Sequence, residues 1–273
     1  MFQSNRFGNT PPIVLNLIII NALFLLVTWV LDNQGVDIVS IFGLHSFYSS
    51  EFRIWQPLTN IFLHGDIGHL FFNMFSLWMF GRILEQVWGD KKFLIFFLFT
   101  GVGASLLNSL VNIAEVEYAR YAFDQAINNL SPDTFFSILK SHHLELKPEV
   151  EAYFGNWYKN PSSSEFINQA KEILLGSKAM YVEALSKTVT IGASGAVYGV
   201  LFAFGMLFPN MTLMLIIPPV PIKAKYMVMI FAAFELYFGI SGKQPGIAHF
   251  AHLGGMLIAF IILRYWKKHN MMY

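Results

Sequence analysis

Gly192-Ala193-Ser194-Gly195-Ala196-Val197-Tyr198-Gly199 opens an apolar segment that runs to about Phe208. Nearer the C-terminus, Ala251-His252-Leu253-Gly254-Gly255 lies at the head of a second one. Groups that exchange protons are costly inside a bilayer, so a serine and a histidine placed this way point to a functional pair. They predict a hydrolase that works below the membrane surface.

Composition agrees with a membrane setting. The 273 residues are 55% hydrophobic and 13% charged, with a mean hydropathy of +0.50, whereas soluble domains carry about 25% charged residues. A net charge of +1 with no concentrated basic face argues against a nucleic-acid partner. The absence of cysteine excludes disulfides, thiolate metal sites and a cysteine nucleophile.

Working outward, six apolar segments can be marked. They run approximately over Ile13 to Leu31, Ile67 to Trp88, Phe93 to Val111, Ser194 to Phe208, Tyr226 to Ile240 and Ala248 to Tyr265. Each is long enough, or nearly so, to cross roughly 30 Å of hydrocarbon as a helix. Pro11-Pro12 precede the first, Gly89-Asp90 end the second, and Pro218, Pro219 and Pro221 separate the fourth from the fifth. The first segment is too long for a signal peptide and no small-residue cleavage site follows it, so it reads as a transmembrane helix.

Lysine and arginine set the expected orientation. With the N-terminus inside, the inner side holds Arg6, Arg82, Lys91, Lys92, Lys223, Lys225, Arg264, Lys267 and Lys268, and the short outer loops hold Arg53 and Lys243. Both termini are then cytoplasmic. With no targeting extension ahead of the first span, a prokaryotic plasma membrane is the expected location.

The chain divides into core helices 1–3 over residues 1–111, an insertion over 112–187, and core helices 4–6 over 188–273. The insertion is polar, with acidic residues outnumbering basic ones. Ser131-Pro132-Asp133 reads as a helix start and Ser162-Ser163-Ser164-Glu165 as a capping box. It reads as a small, mainly helical module outside the membrane, with no chemistry of its own.

The fourth segment, at about 15 residues and roughly 22 Å of helix, falls short of the hydrocarbon thickness. Ser194 is therefore expected at a sunken helix N-terminus, where free backbone N–H groups and the positive end of the helix dipole suit a developing oxyanion. Gly195, Gly199 and Ala203 recur every four residues, as do Ala251, Gly255 and Ala259. Such stripes let helix backbones approach closely in lipid, although stripes alone are common packing surfaces. Facing one another, they would bring Ser194 within reach of His252. On the second span, His69 and Asn73 are four residues apart and share a face. Both could point N–H groups at an oxyanion, or simply glue two helices together.

These residues resemble the rhomboid intramembrane serine proteases. Gly192-Ala193-Ser194-Gly195 is similar to the family's GxSG motif, which implies that Ser194 is the nucleophile. Ala251-His252-Leu253-Gly254-Gly255 is similar to its AHxxG motif, which implies that His252 is the general base and then the general acid. The resemblance further implies that Tyr198 packs on the catalytic imidazole and that His69 and Asn73, an HxxxN pair, complete the oxyanion hole with the Ser194 backbone N–H. It gives His64 a supporting role and Gly192 a place in the nucleophile loop. Trp55-Gln56 stands where the family has Trp-Arg, and Gly81-Arg82-Ile83-Leu84-Glu85 resembles a structural GxxxE signature. The implied fold is an all-α, six-transmembrane-helix rhomboid-like bundle, with the insertion between helices 3 and 4.

Other chemistries are weaker. His249 and His252 could share a metal with His64 or His69, but no carboxylate is expected beside them and there is no HExxH, so no metal and no cofactor are expected. Glu235 is the carboxylate of the fifth span, and a local structural or gating role is expected for it above catalysis. The expected function is that of a serine endopeptidase with a Ser194–His252 dyad and no third acid, cleaving single-span membrane proteins near the outer face of the lipid bilayer. The alternative is an inactive rhomboid-like protein that binds or chaperones membrane helices.

Overall fold

The structure, a computed structural model, describes residues 10–214, 220–244 and 246–271. Arg6, Pro218 and Pro219 lie outside them. The chain forms two compact units. The first lies within Met1–His45, Ser50–Leu110 and Val189–Tyr273, the second within Ser46–Ser49 and Val111–Thr188.

The first unit begins with α1 (Pro12–Asp32), which opens at the Pro11-Pro12 pair. A proline at the first turn sacrifices no helix hydrogen bond. No side chain of α1 itself caps the remaining donors. Short helices α2 (Ile38–Phe42) and α3 (Gln56–Thr59) fill the connection that follows. The second span is α4 (Ile67–Ser76), a π-turn over Leu77–Gly81, and α5 (Arg82–Trp88). Asp66 caps α4 by accepting from the His69 N–H at 2.8 Å. The span stops at Gly89, whose φ of +79° no β-carbon residue adopts without strain.

Glu85 on α5 supplies the missing cap of α1. Its carboxylate accepts from the backbone N–H of Ile13 at 2.8 Å and of Val14 at 2.7 Å. Glu85 is 1% exposed, so this bond pair both satisfies two orphan donors and locks α1 onto the second span. The GxxxE motif is thus structural.

α6 (Asp90–Asn128) departs from expectation. The third span does not stop near Val111 but continues without a break to Asn128. Residues 112–128 contain no glycine or proline, and Val116, Ala119, Phe123 and Ala126 are buried at helical spacing. Loss of hydropathy marks a change of solvent, not the end of a helix.

In the second unit, that end of α6 is joined by α7 (Pro132–Ser141), α8 (Pro148–Gly155) and α9 (Ser164–Ser186). Their core contains Phe123, Phe135, Phe154, Trp157, Ala170 and Leu174. α7 starts with a capping box between Ser131 and Thr134. The second expected box does not form. Ser163 is the N-cap of α9, but its side chain makes no cap bond, and Glu165 instead accepts from the Tyr153 hydroxyl at 3.0 Å.

The first unit is completed by α10 (Ser194–Leu207), α11 (Ala224–Ser241) and α12 (His249–Lys268). Two short antiparallel pairs interrupt the all-helical pattern: β1 (Leu44–His45) with β2 (Val189–Thr190), and β3 (Thr212–Met214) with β4 (Pro221–Lys223). The core gathers Leu17, Leu77, Phe93, Phe97, Val200 and Phe204. Among the described residues, five helices are long and apolar enough to span a membrane, and α10, at 14 residues, is a shorter apolar helix. α1 carries Leu15, Ile19, Leu23, Leu26 and Trp29 exposed along its length, a surface that only lipid covers without cost.

Replacing Glu85 with Ala should lower the stability of the detergent-solubilised protein by about 2 kcal/mol, the scale of charge-assisted bonds to buried donors. An unchanged thermal midpoint would contradict the capping role.

Candidate active site

α10 and α12 meet through their glycines. A β-carbon on Gly255 would lie 1.9 Å from the carbonyl oxygen of Gly195, and one on Gly199 would lie 3.2 Å from the carbonyl oxygen of Gly255. α6 closes on the same helix from another side: a β-carbon on Gly195 would lie 2.6 Å from that of Ala104. Backbone therefore rests on backbone, as small-residue stripes permit.

That approach sets Ser194, the first residue of α10, against His252, in the first turn of α12. The Ser194 Oγ lies 2.8 Å from His252 Nε2. If the hydroxyl donates, the neutral imidazole carries its proton on Nδ1. The Tyr198 ring stacks on the imidazole, with centroids 4.2 Å apart and planes 5° from parallel. The stack fixes the ring plane, so the Nε2–Oγ bond does not depend on the side chain's own rotamer preference.

The loop ahead of Ser194 is held from the first loop of the chain and from α6. Gly192 N–H donates to the Asn60 carbonyl at 2.9 Å, and Asn108 Nδ2 donates to Thr190 Oγ1 at 3.0 Å. Gly192 has φ +127°, and a β-carbon there would meet His69 Cε1 at 2.8 Å and Nε2 at 2.9 Å while standing 3.6 Å from Ser194 Oγ. Glycine thus leaves an opening bordered by His69 and Ser194. The Gly65 N–H approaches His69 Nδ1 at a long 3.5 Å, which favours the tautomer with a proton on Nε2. Asn73, also on α4, is buried, and its Nδ2 has no hydrogen-bond partner among the described residues. An unpaired buried donor is costly unless a ligand or an intermediate supplies its acceptor. His64 is buried and packs edge-on to His69, with centroids 4.9 Å apart.

Gln56, which stands where the resembled family has arginine, is a buried hub. Its Oε1 accepts from Arg53 N–H at 3.0 Å and His45 N–H at 3.3 Å, and its Nε2 donates to the Glu51 carbonyl at 3.0 Å. An uncharged amide both donates and accepts, so it can tie a loop from inside where a guanidinium could only donate. Trp55 beside it is 46% exposed.

Two residues acquire a place that the sequence reading did not give them. Glu235 on α11 turns its carboxylate to the back of the His252 ring. Its Oε2 accepts from His249 Nδ1 at 2.6 Å and stands 3.0 Å from His252 Nδ1. Its Oε1 accepts a short hydrogen bond from the Tyr198 hydroxyl. The contact with His252 is an ion-pair distance without an aligned hydrogen bond. The expectation that no carboxylate stands beside these histidines is therefore overturned. Glu235 and His252 are far apart in sequence on different helices, and only the packing of α11 against α12 brings them together. The signal was present in part: an intramembrane carboxylate, and a second histidine one turn before His252.

Glu235, His249 and His252 each offer one metal-ligand atom, all within 4.8 Å of one another. The carboxylate is, however, already engaged by two donors, and His252 Nε2 faces Ser194. An ion would have to displace these bonds to reach an ordinary coordination sphere.

With this geometry in place, comparisons with known proteins bear on its meaning. A family model described as Rhomboid domain matches residues 51–117 and 168–268, more than half of the chain. Rhomboid-like protein 11, chloroplastic, of Arabidopsis thaliana is 36% identical over 88 residues, covering 30% of this chain and 31% of that protein. Rhomboid protease GluP of Bacillus subtilis is 40% identical over 52 residues, covering 19% of this chain and 10% of its own length. Rhomboid-like protease 3 of Toxoplasma gondii is 34% identical over 62 residues, covering 23% and 24%. The chain thus spans between a tenth and about a third of these relatives. Ser194, His252, His69, Asn73 and Glu235 all fall inside the matched family segments. A multi-pass, mostly helical membrane protein carrying these motifs within the matched segments, the chain belongs to the rhomboid family.

Proposed function

We propose that this protein is an intramembrane serine endopeptidase that cleaves single-span membrane proteins near the outer face of the bilayer. The observation that carries the reading is the 2.8 Å approach of Ser194 Oγ to His252 Nε2 at the adjoining heads of α10 and α12. Ser194 attacks the scissile carbonyl carbon while its proton passes to His252 Nε2. The resulting oxyanion is received by the Ser194 backbone N–H, by His69 Nε2–H and by Asn73 Nδ2, a donor without a partner among the described residues. His252 then hands its proton to the leaving amine as the C–N bond breaks. Water, activated by the same imidazole, hydrolyses the acyl-serine.

A substrate helix hides its carbonyls in its own hydrogen bonds, so cleavage requires local unwinding, and helices with glycine, proline or small residues near the cut are favoured. The lysine and arginine distribution supports an orientation with both termini in the cytoplasm. A binder of membrane helices would have no use for a hydroxyl hydrogen-bonded to an imidazole.

In detergent, a fluorophosphonate or chloroisocoumarin probe should label the wild-type protein and fail to label Ser194→Ala or His252→Ala. A folded wild type that binds helices but takes no label would favour the inactive binder. Single His69→Ala and Asn73→Ala variants should lose on the order of 10²-fold in kcat, the usual cost of one oxyanion donor. A loss in KM alone would remove them from the oxyanion hole.

A further inference from the structure

The carboxylate behind the imidazole carries a further step, which rests on the protease reading just given. We infer that Glu235 is the positioning acid of His252, making the centre a Ser194–His252–Glu235 triad. Three observations converge. Glu235 Oε2 stands 3.0 Å from His252 Nδ1, the ring atom opposite the one that faces Ser194. The carboxylate is itself held in place, by the Tyr198 hydroxyl on Oε1 and by His249 Nδ1 at 2.6 Å on Oε2. And Glu235, His249 and His252 are all buried, the glutamate in the middle of a span where a carboxylate without purpose is disfavoured.

The chemistry follows from the ring. To accept the Ser194 proton at Nε2, His252 must carry its other proton on Nδ1. A carboxylate facing Nδ1 selects that tautomer and attracts the imidazolium once the proton has moved. Glu235 takes no proton at any stage. The Ser194 proton goes to His252 Nε2 as the Oγ–C bond forms, and from there to the leaving nitrogen as the C–N bond breaks. When Nδ1–H becomes part of a cation, a small rotation of the ring or carboxylate turns the 3.0 Å ion-pair contact into an aligned bond. Tyr198 then has two tasks, stacking on the base and anchoring its acid. His249 has one, holding Oε2. The groups in contact with His252 are Ser194 and Tyr198 from α10, Glu235 from α11 and His249 from its own helix.

The decisive comparison is of Glu235→Gln, Glu235→Asp and wild type, purified in detergent, with kcat and KM for a model membrane substrate and thermal midpoints measured together. A glutamine amide can present an N–H to Nδ1 and favour the wrong tautomer, so Glu235→Gln should lose on the order of 10²-fold or more in kcat with KM little changed. Glu235→Asp, which keeps the charge on a shorter arm, should recover part of the loss. Wild-type kcat in Glu235→Gln would overturn the inference, as would equal losses in Gln and Asp that follow the fall in thermal midpoint. If Glu235→Gln does not fold, nitrogen NMR of the isotope-labelled histidines in the wild type reads the same point. His252 in the Nδ1–H tautomer supports the triad, and the Nε2–H tautomer overturns it. Chelator-sensitive activity restored by zinc would make Glu235 a metal ligand and also overturn it. A wild type that takes no serine-directed probe fails at the protease reading, whereas a labelled wild type with an indifferent Glu235 fails only here.

Discussion

Backbone contact between α10 and α12 is the constraint on which the rest of the first unit depends. With a glycine on each side, the helices come close enough that a β-carbon at Gly255 would overlap the Gly195 carbonyl. In lipid there is little hydrophobic gain from pressing two apolar helices together, so dispersion contact between smooth surfaces has to supply it. The same closeness leaves the side chains at the ends of the helices no room to avoid one another. Ser194 and His252 meet because Gly195, Gly199 and Gly255 along the seam have no side chains to hold the two helices apart.

Around that seam, buried polar residues tie backbone segments together. Glu85 absorbs the donors of α1, Gln56 those of the first loop, and Asn60 holds the loop ahead of Ser194. All three are buried; Glu85 and the Asn60 carbonyl join segments distant in sequence, and Gln56 ties its own loop, so the membrane core is held by hydrogen bonds to backbone groups as well as by packing. Asn73 Nδ2 is one of several buried side-chain atoms without a hydrogen-bond partner among the described residues, and Asn73 lies on the α4 face that carries His69.

The third element to join is α11. It contributes no motif, and its apolar sequence resembles a plain span. Yet its one carboxylate lands between the stacked tyrosine and two histidines, so the His252 imidazole is confined from three helices: stacked by α10, backed by α11 and carried by α12.

Much of this was legible in the chain itself. Length and hydropathy set the number of apolar helices, because a bilayer demands about 20 residues of helix per crossing and leaves little choice of backbone structure. The glycine and alanine stripes, the GxSG and AHxxG motifs and the GxxxE signature are local patterns, and local patterns survive in sequence. What was not legible concerned ends and partners. The run of α6 to Asn128 was hidden because polarity changes where the solvent changes while the helix goes on, and the box at Ser162 to Glu165 matched a pattern whose geometry Ser163 does not adopt. Glu235 was visible as an oddity but not as a neighbour of His252. Its partners lie on two other helices, α10 and α12, and only the packing of α11 against them decides which way a lone carboxylate faces.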